Sequence, residues 1–99
     1  MSNYIFPDGK YGEAAEAAYN EVQRSIAKHP SSVPFRSSHE AYAVLLEEVD
    51  EMWAEIKANT TEFAVAEAVQ VAAMAIRFVA EFGKYPFTLK PKTIVNEQY

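Results

Sequence analysis

The run LLEEVDE, residues 45 to 51, places Glu47, Glu48 and Glu51 within little more than one helical turn. Glu40, Asp50 and Glu55 bring the surrounding segment, 37 to 59, to six carboxylates. In a helix Glu48 and Glu51 stand at i,i+3, and Glu47 and Glu51 at i,i+4, so their side chains meet. Each such like-charge pair repels by a few tenths of a kcal/mol, roughly the size of a favourable helix pair. A solvated helix face tolerates that much. The other reading is that part of the group holds a cation. Oxygen donors alone suit a hard ion, Mg²⁺ or Mn²⁺, which retains waters and takes substrate phosphates as further ligands.

A second segment, FAVAEAVQVAAMAIRFVAEF, bears on the choice. At about 100° per residue, Phe63, Val71, Met74 and Phe78 share one side, and Val69, Ala72, Ala73, Ile76 and Ala80 the other. A helix apolar nearly all round is expected to be buried. Glu67 falls in the middle of the first of those sides. A lone buried carboxylate must be protonated, paired or metal-bound, because its desolvation costs several kcal/mol. Gln70 offers an amide oxygen to the same region, and Arg77 is the alternative partner for a carboxylate. If the two helices pack antiparallel, Glu48 and Glu51 face Glu67 and Gln70 in an all-oxygen cluster. Helical di-iron sites need Glu-x-x-His pairs. Neither His29 nor His39 has that spacing, so iron is disfavoured.

The elements that must position these groups are all helical. A small-residue stripe of Ala14, Ala15, Ala17, Ala18, Val22 and Ile26 predicts a first helix over about 12 to 28. HPSSVPFRSS then reads as a loop. Ser37 and Glu40 have capping-box spacing and open a second helix that runs to about residue 57. Its core stripe is Tyr42, Leu45, Leu46, Val49, Met52, Trp53 and Ile56. Thr60 or Thr61 can cap a third helix over roughly 62 to 82, and Gly83 is expected to end it in a left-handed turn. Residues 84 to 99, with two prolines, are expected to be irregular.

The expected fold is therefore all-α. It is a single domain over 1–99, an antiparallel bundle of about three helices with its helical core over about 12 to 83. So short a chain buries a limited share of its surface, so oligomerisation is expected to complete the bundle. The net charge of −5 disfavours nucleic acid and anionic membranes as partners. Glu67, Gln70 and Arg77 interrupt the most apolar stretch, so no membrane span is expected. With no cysteine there is neither a disulfide framework nor thiolate chemistry. The opening MSNYIFPDGK lacks the layout of a signal peptide, and a cytoplasmic protein is expected.

These residues together resemble the all-α nucleotide pyrophosphohydrolases of the MazG-like group, over about residues 20 to 82. That family carries Glu-Glu-x-x-Glu on one helix and Glu-x-x-Asp on the next. Here EEVDE supplies Glu47, Glu48 and Glu51, and EAVQ supplies Glu67 with Gln70 in place of the Asp. The flanks HEAYAVLLEEVDEMW and VQVAAMAIRF also resemble the family. The resemblance implies Mg²⁺-dependent cleavage of an NTP or dNTP between its α and β phosphates, with Mn²⁺ as a substitute ion. It implies Glu48, Glu51 and Glu67 as metal ligands, Gln70 as a neutral fourth, and Glu47 as the residue that orients water or shares a second ion. It also implies a homo-oligomer, dimer or tetramer, in a house-cleaning role. The competing reading is a non-catalytic interaction or nucleotide-sensing module that retains the scaffold, favoured by Gln70. Lys57, Lys84, Lys90 and Lys92 could meet phosphates or merely solubilise. Trp53 and Tyr42 could stack a base or fill the core. His39 fits local structure better than a catalytic base, and Phe35 and Arg36 could edge a pocket.

Overall fold

A computed structural model describes residues 6 to 87. Helix α1 spans Lys10–Lys28, α2 Ser38–Lys57 and α3 Thr61–Phe82, with a single 3₁₀ turn over Pro30–Ser32 between the first two. No strand occurs among the described residues. Helix α3 is central. It packs against α2 and against α1, whereas α1 and α2 make no backbone approach to each other among the described residues.

The sequence explains the boundaries. Ser37 caps α2 by accepting the Glu40 N–H at 3.1 Å. The second half of the expected capping box is displaced by one residue, because the Glu40 carboxylate accepts the Arg36 N–H at 2.7 Å, not that of Ser37. At the other end Asn59 adopts the left-handed conformation, φ 61°. Its N–H donates to the Ile56 carbonyl and that of Thr60 to Glu55, both at 3.0 Å. This is a Schellman termination, and the tight link folds α3 back along α2. Two expectations need correction here. The Thr60 hydroxyl does not cap α3 but lies against the Glu55 carbonyl and carboxylate. Gly83 is extended, φ −81° and ψ 164°, so α3 ends without a left-handed residue.

The core is thin and alanine-rich. Val22, Phe35, Ala41, Ala73 and Met74 form its buried centre, with Val44, Leu45 and Phe78 packed against it. Small residues allow close helix approach but bury little area each. The expectation that α3 is buried all round is not met within the chain: Phe63 remains 61% exposed and Val65 59%. Two flanking helices cannot cover a cylinder apolar on every side. Nor does the α2 stripe lie wholly in the core, since Trp53 is 54% and Tyr42 61% exposed. By length and composition α3 could cross a membrane, with a mean hydropathy of 1.7 over its most apolar window. In this chain it instead carries a buried ion pair. Arg77, 5% exposed, donates from Nε to Glu81 at 2.8 Å and from Nη2 to the Ser32 carbonyl at 3.0 Å. Its guanidinium lies 3.9 Å over the Phe35 ring, and the Phe35 N–H donates to Glu81 at 2.7 Å. One buried pair thus pins the loop between α1 and α2 onto α3.

Candidate metal centre

The helical period of α2 places Glu48 and Glu51 on one edge, and the α2–α3 hairpin brings Glu67 against them. One carboxylate oxygen from each of the three lies within 4.8 Å of the others. Glu48 and Glu67 are half-buried and Glu51 is exposed. Among the described residues none of the three is in an ion pair. Oxygens bound to one Mg²⁺ at about 2.1 Å lie at most about 4.2 Å apart. The cluster therefore needs to close by only about half an ångström, within reach of a carboxylate rotation.

The electrostatics describe negative charge without compensation. Burial pushes the Glu48 carboxyl above its ordinary value, and the charges of Glu51, Glu67, Glu47 and Glu21 add to the rise. Glu67 is raised by desolvation first, then by the charge of Glu51 and by a hydrogen bond with the Glu51 carboxylate that favours the protonated form. Without a cation, these groups relieve their repulsion by holding protons. A divalent ion would relieve it by direct coordination, so charge and donor type fit a hard metal.

The other expected site residues are distributed around this cluster. Glu47 is exposed and outside the three, although its charge is felt at Glu48. Gln70 lines a cavity of about 290 Å³ together with Glu48 and with Glu21 of α1. Glu21 was not singled out in the sequence. Its i,i+3 pair with Arg24, at 2.6 and 2.8 Å, has the signature of an ordinary surface salt bridge. That hydrogen bond, with help from Gln70, holds the Glu21 carboxyl below its ordinary value despite opposing desolvation. The one available signal was its place beside Val22 on the buried side of α1.

Arg77 pairs with Glu81 and not with the cluster. Lys57 sits 5.5 Å over the Trp53 ring. His39 is exposed in the first turn of α2, and Arg36 and Lys84 are exposed too. Phe35 is buried and lines the cavity. Lys90, Lys92 and the tail from residue 88 onward lie outside the described residues. No family model, curated protein or solved structure matches this chain. What the fold and site define is a class: an all-helical protein, with three α-helices among the described residues and a carboxylate cluster shared between two successive ones.

Proposed function

We propose that the chain is a nucleoside triphosphate pyrophosphohydrolase of the MazG-like kind, cytoplasmic and homo-oligomeric, with a nucleotide as substrate. The observation that carries this reading is the convergence of Glu48, Glu51 and Glu67 in the family's order, uncompensated and within 4.8 Å. Those three residues would hold Mg²⁺, or Mn²⁺ in its place, and Gln70 offers a neutral amide oxygen nearby. A bound divalent cation supplies charge neutralisation of the triphosphate and polarisation of the phosphorus under attack. Glu47, exposed at the edge of the cluster, accepts the proton of the attacking water. The water oxygen bonds to the α phosphorus, the α–β bridging bond breaks, and pyrophosphate leaves with its electron pair. Half-burial of Glu48 and Glu67 lowers the local dielectric and strengthens their hold on a cation. The apolar side chains left exposed on α2 and α3, Trp53 and Phe63 among them, support assembly of several chains.

The competing reading, a non-catalytic nucleotide-sensing or interaction module, is favoured by Gln70, which lacks the family's charge. Pyrophosphate release from a panel of NTPs and dNTPs with Mg²⁺ or Mn²⁺ separates the two. Metal-dependent release, abolished by Glu51→Gln, is expected. No turnover on any nucleotide, at protein concentrations near that of substrate, would sink the catalytic reading.

A further inference from the structure

The cavity of about 290 Å³ gathers cations in a chain that is acidic overall. The sequence has 14 acidic against 9 basic residues, yet Arg24, Lys28 and Arg77 all line this cavity, with His29 beside them. Helix α1 contributes Glu21, Arg24, Ser25 and Lys28, whose i, i+3, i+4, i+7 spacing is one helix face. Val44 and Met74 supply an apolar wall from α2 and α3. The two ends differ in charge. Arg77 bonds the Ser32 carbonyl, which puts it at the Lys28 end of α1, whereas the approach of Glu48 to Glu67 puts Glu48 at the Gln70 end. Seven residues on α1, Glu21 to Lys28, and seven on α3, Gln70 to Arg77, separate an acidic end from a basic one. At 1.5 Å per residue that is about 10 Å.

The basic end is not satisfied within the chain. Lys28 is in no ion pair among the described residues. Arg77, although only 5% exposed, uses part of its guanidinium: Nε and Nη2 bond Glu81 and the Ser32 carbonyl. The two N–H groups of Nη1 have no partner among the described residues. No wholly buried side-chain nitrogen or oxygen among those residues lacks a hydrogen bond, so Nη1 reaches open space, and the cavity is the space that Arg77 lines. A nearly buried guanidinium with two spare donors, an unpaired ammonium and a histidine ring together form a receptor for an oxyanion. We propose that this basic end is a subsite for the terminal phosphate of the substrate, while the metal and the phosphate under attack lie at the Glu48 end. A triphosphate held by a metal at one end and by hydrogen bonds at the other spans such a distance. The bidentate pair with Arg24 neutralises Glu21, so that carboxylate does not repel the phosphate chain. Arg77 Nη1 and Lys28 meet the terminal oxygens, and pyrophosphate leaves with part of its charge already compensated. The inference rests on the nucleotide reading for the identity of the anion.

Titration of ¹⁵N-labelled protein with inorganic pyrophosphate, in chelator and at constant ionic strength, tests this end apart from metal and catalysis. Shifts are expected at His29, Ser32 and the Arg77 Nε–H, with sulfate weaker than pyrophosphate. Lys28→Gln should weaken pyrophosphate by about tenfold, the size of one charged hydrogen bond, and Lys28→Arg should restore it. Lys28 also complements the carbonyl end of α1, a role that the Tm of each variant reads separately. In the hydrolysis assay Lys28→Gln should raise KM by a similar factor for every nucleotide, whatever its base, with the Mg²⁺-induced Tm shift unchanged. The proposal is overturned if pyrophosphate leaves these residues unmoved, if sulfate matches it, or if Lys28→Gln binds as wild type does. Pyrophosphate binding without turnover on any nucleotide would keep the anion subsite and remove the hydrolase reading. Metal-dependent turnover with no pyrophosphate binding, and a wild-type KM in Lys28→Gln, would do the reverse.

Discussion

Two groups of charges lie on the same central helix and are treated in opposite ways. At the C-terminal end of α3, Arg77 and Glu81 are nearly buried and well partnered: they bond each other, the Ser32 carbonyl and the Phe35 N–H, and the guanidinium lies over the Phe35 ring. Nearer its start, Glu67 meets Glu48 and Glu51 with no cation among the described residues. The first arrangement is paired within the chain and holds a loop in place. The second raises the pKa values of Glu48 and Glu67, which a proton or, on the proposed reading, a divalent cation would relieve. Satisfied buried charge is structural here, and the clustered charge left without a cation is where the proposed site lies.

The comparison breaks most visibly at Arg77. Arg77→Ala leaves Glu81 and the Ser32 carbonyl without their partner and should cost about 3–5 kcal/mol in urea unfolding. Added Mg²⁺ should not restore it, because the cluster lies elsewhere. Ser37→Ala removes a cap on the helix that carries Glu48 and Glu51, and should cost about 1 kcal/mol.

The pH dependence sharpens the contrast. Glu48 and Glu67 have folded-state values above the ordinary 4.5, so their ionisation opposes folding, and stability is gained as pH falls through those raised values. Glu21 has a lowered value, so its contribution is present above the ordinary value and lost as pH falls through the lowered one. In chelator, the Tm should therefore rise from pH 7 into the mildly acidic range and fall below it. With saturating Mg²⁺ the initial rise should disappear. Smallest in size, Glu48→Gln should stabilise the metal-free protein by a few tenths of a kcal/mol while weakening its response to metal.

Much of this was legible in the sequence for a local reason. Ser37, the apolar period of α2 and the link at residues 58 to 60 specify helices through neighbouring residues, and the structure differs by a residue or two at their ends. The i,i+3 spacing likewise brought Glu48 and Glu51 together, and the α2–α3 hairpin left Glu67 little choice of partner. What depended on how α1 rolls against α3 was not legible. Glu21 carries no signal of its own in the sequence beyond its i,i+3 spacing to Arg24, and only the packed structure sets it in the same cavity wall as Gln70. Trp53 and Tyr42 sat on a stripe that pattern alone assigns to a core, but one chain has too few helices to cover it. Gly83 failed as a left-handed stop because the chain leaves α3 in an extended direction, with the Gly83 N–H still bonded to the Val79 carbonyl at 2.9 Å.

The central claim is that Glu48, Glu51 and Glu67 bind a divalent cation. Its most direct test is the Tm of wild type and Glu51→Ala through a titration of Mg²⁺ and Mn²⁺ at pH 7. Wild type should gain about 2.7 kcal/mol at a hundredfold excess over Kd, and Glu51→Ala far less at the same concentrations. No shift in wild type, or an equal shift in Glu51→Ala, would contradict it.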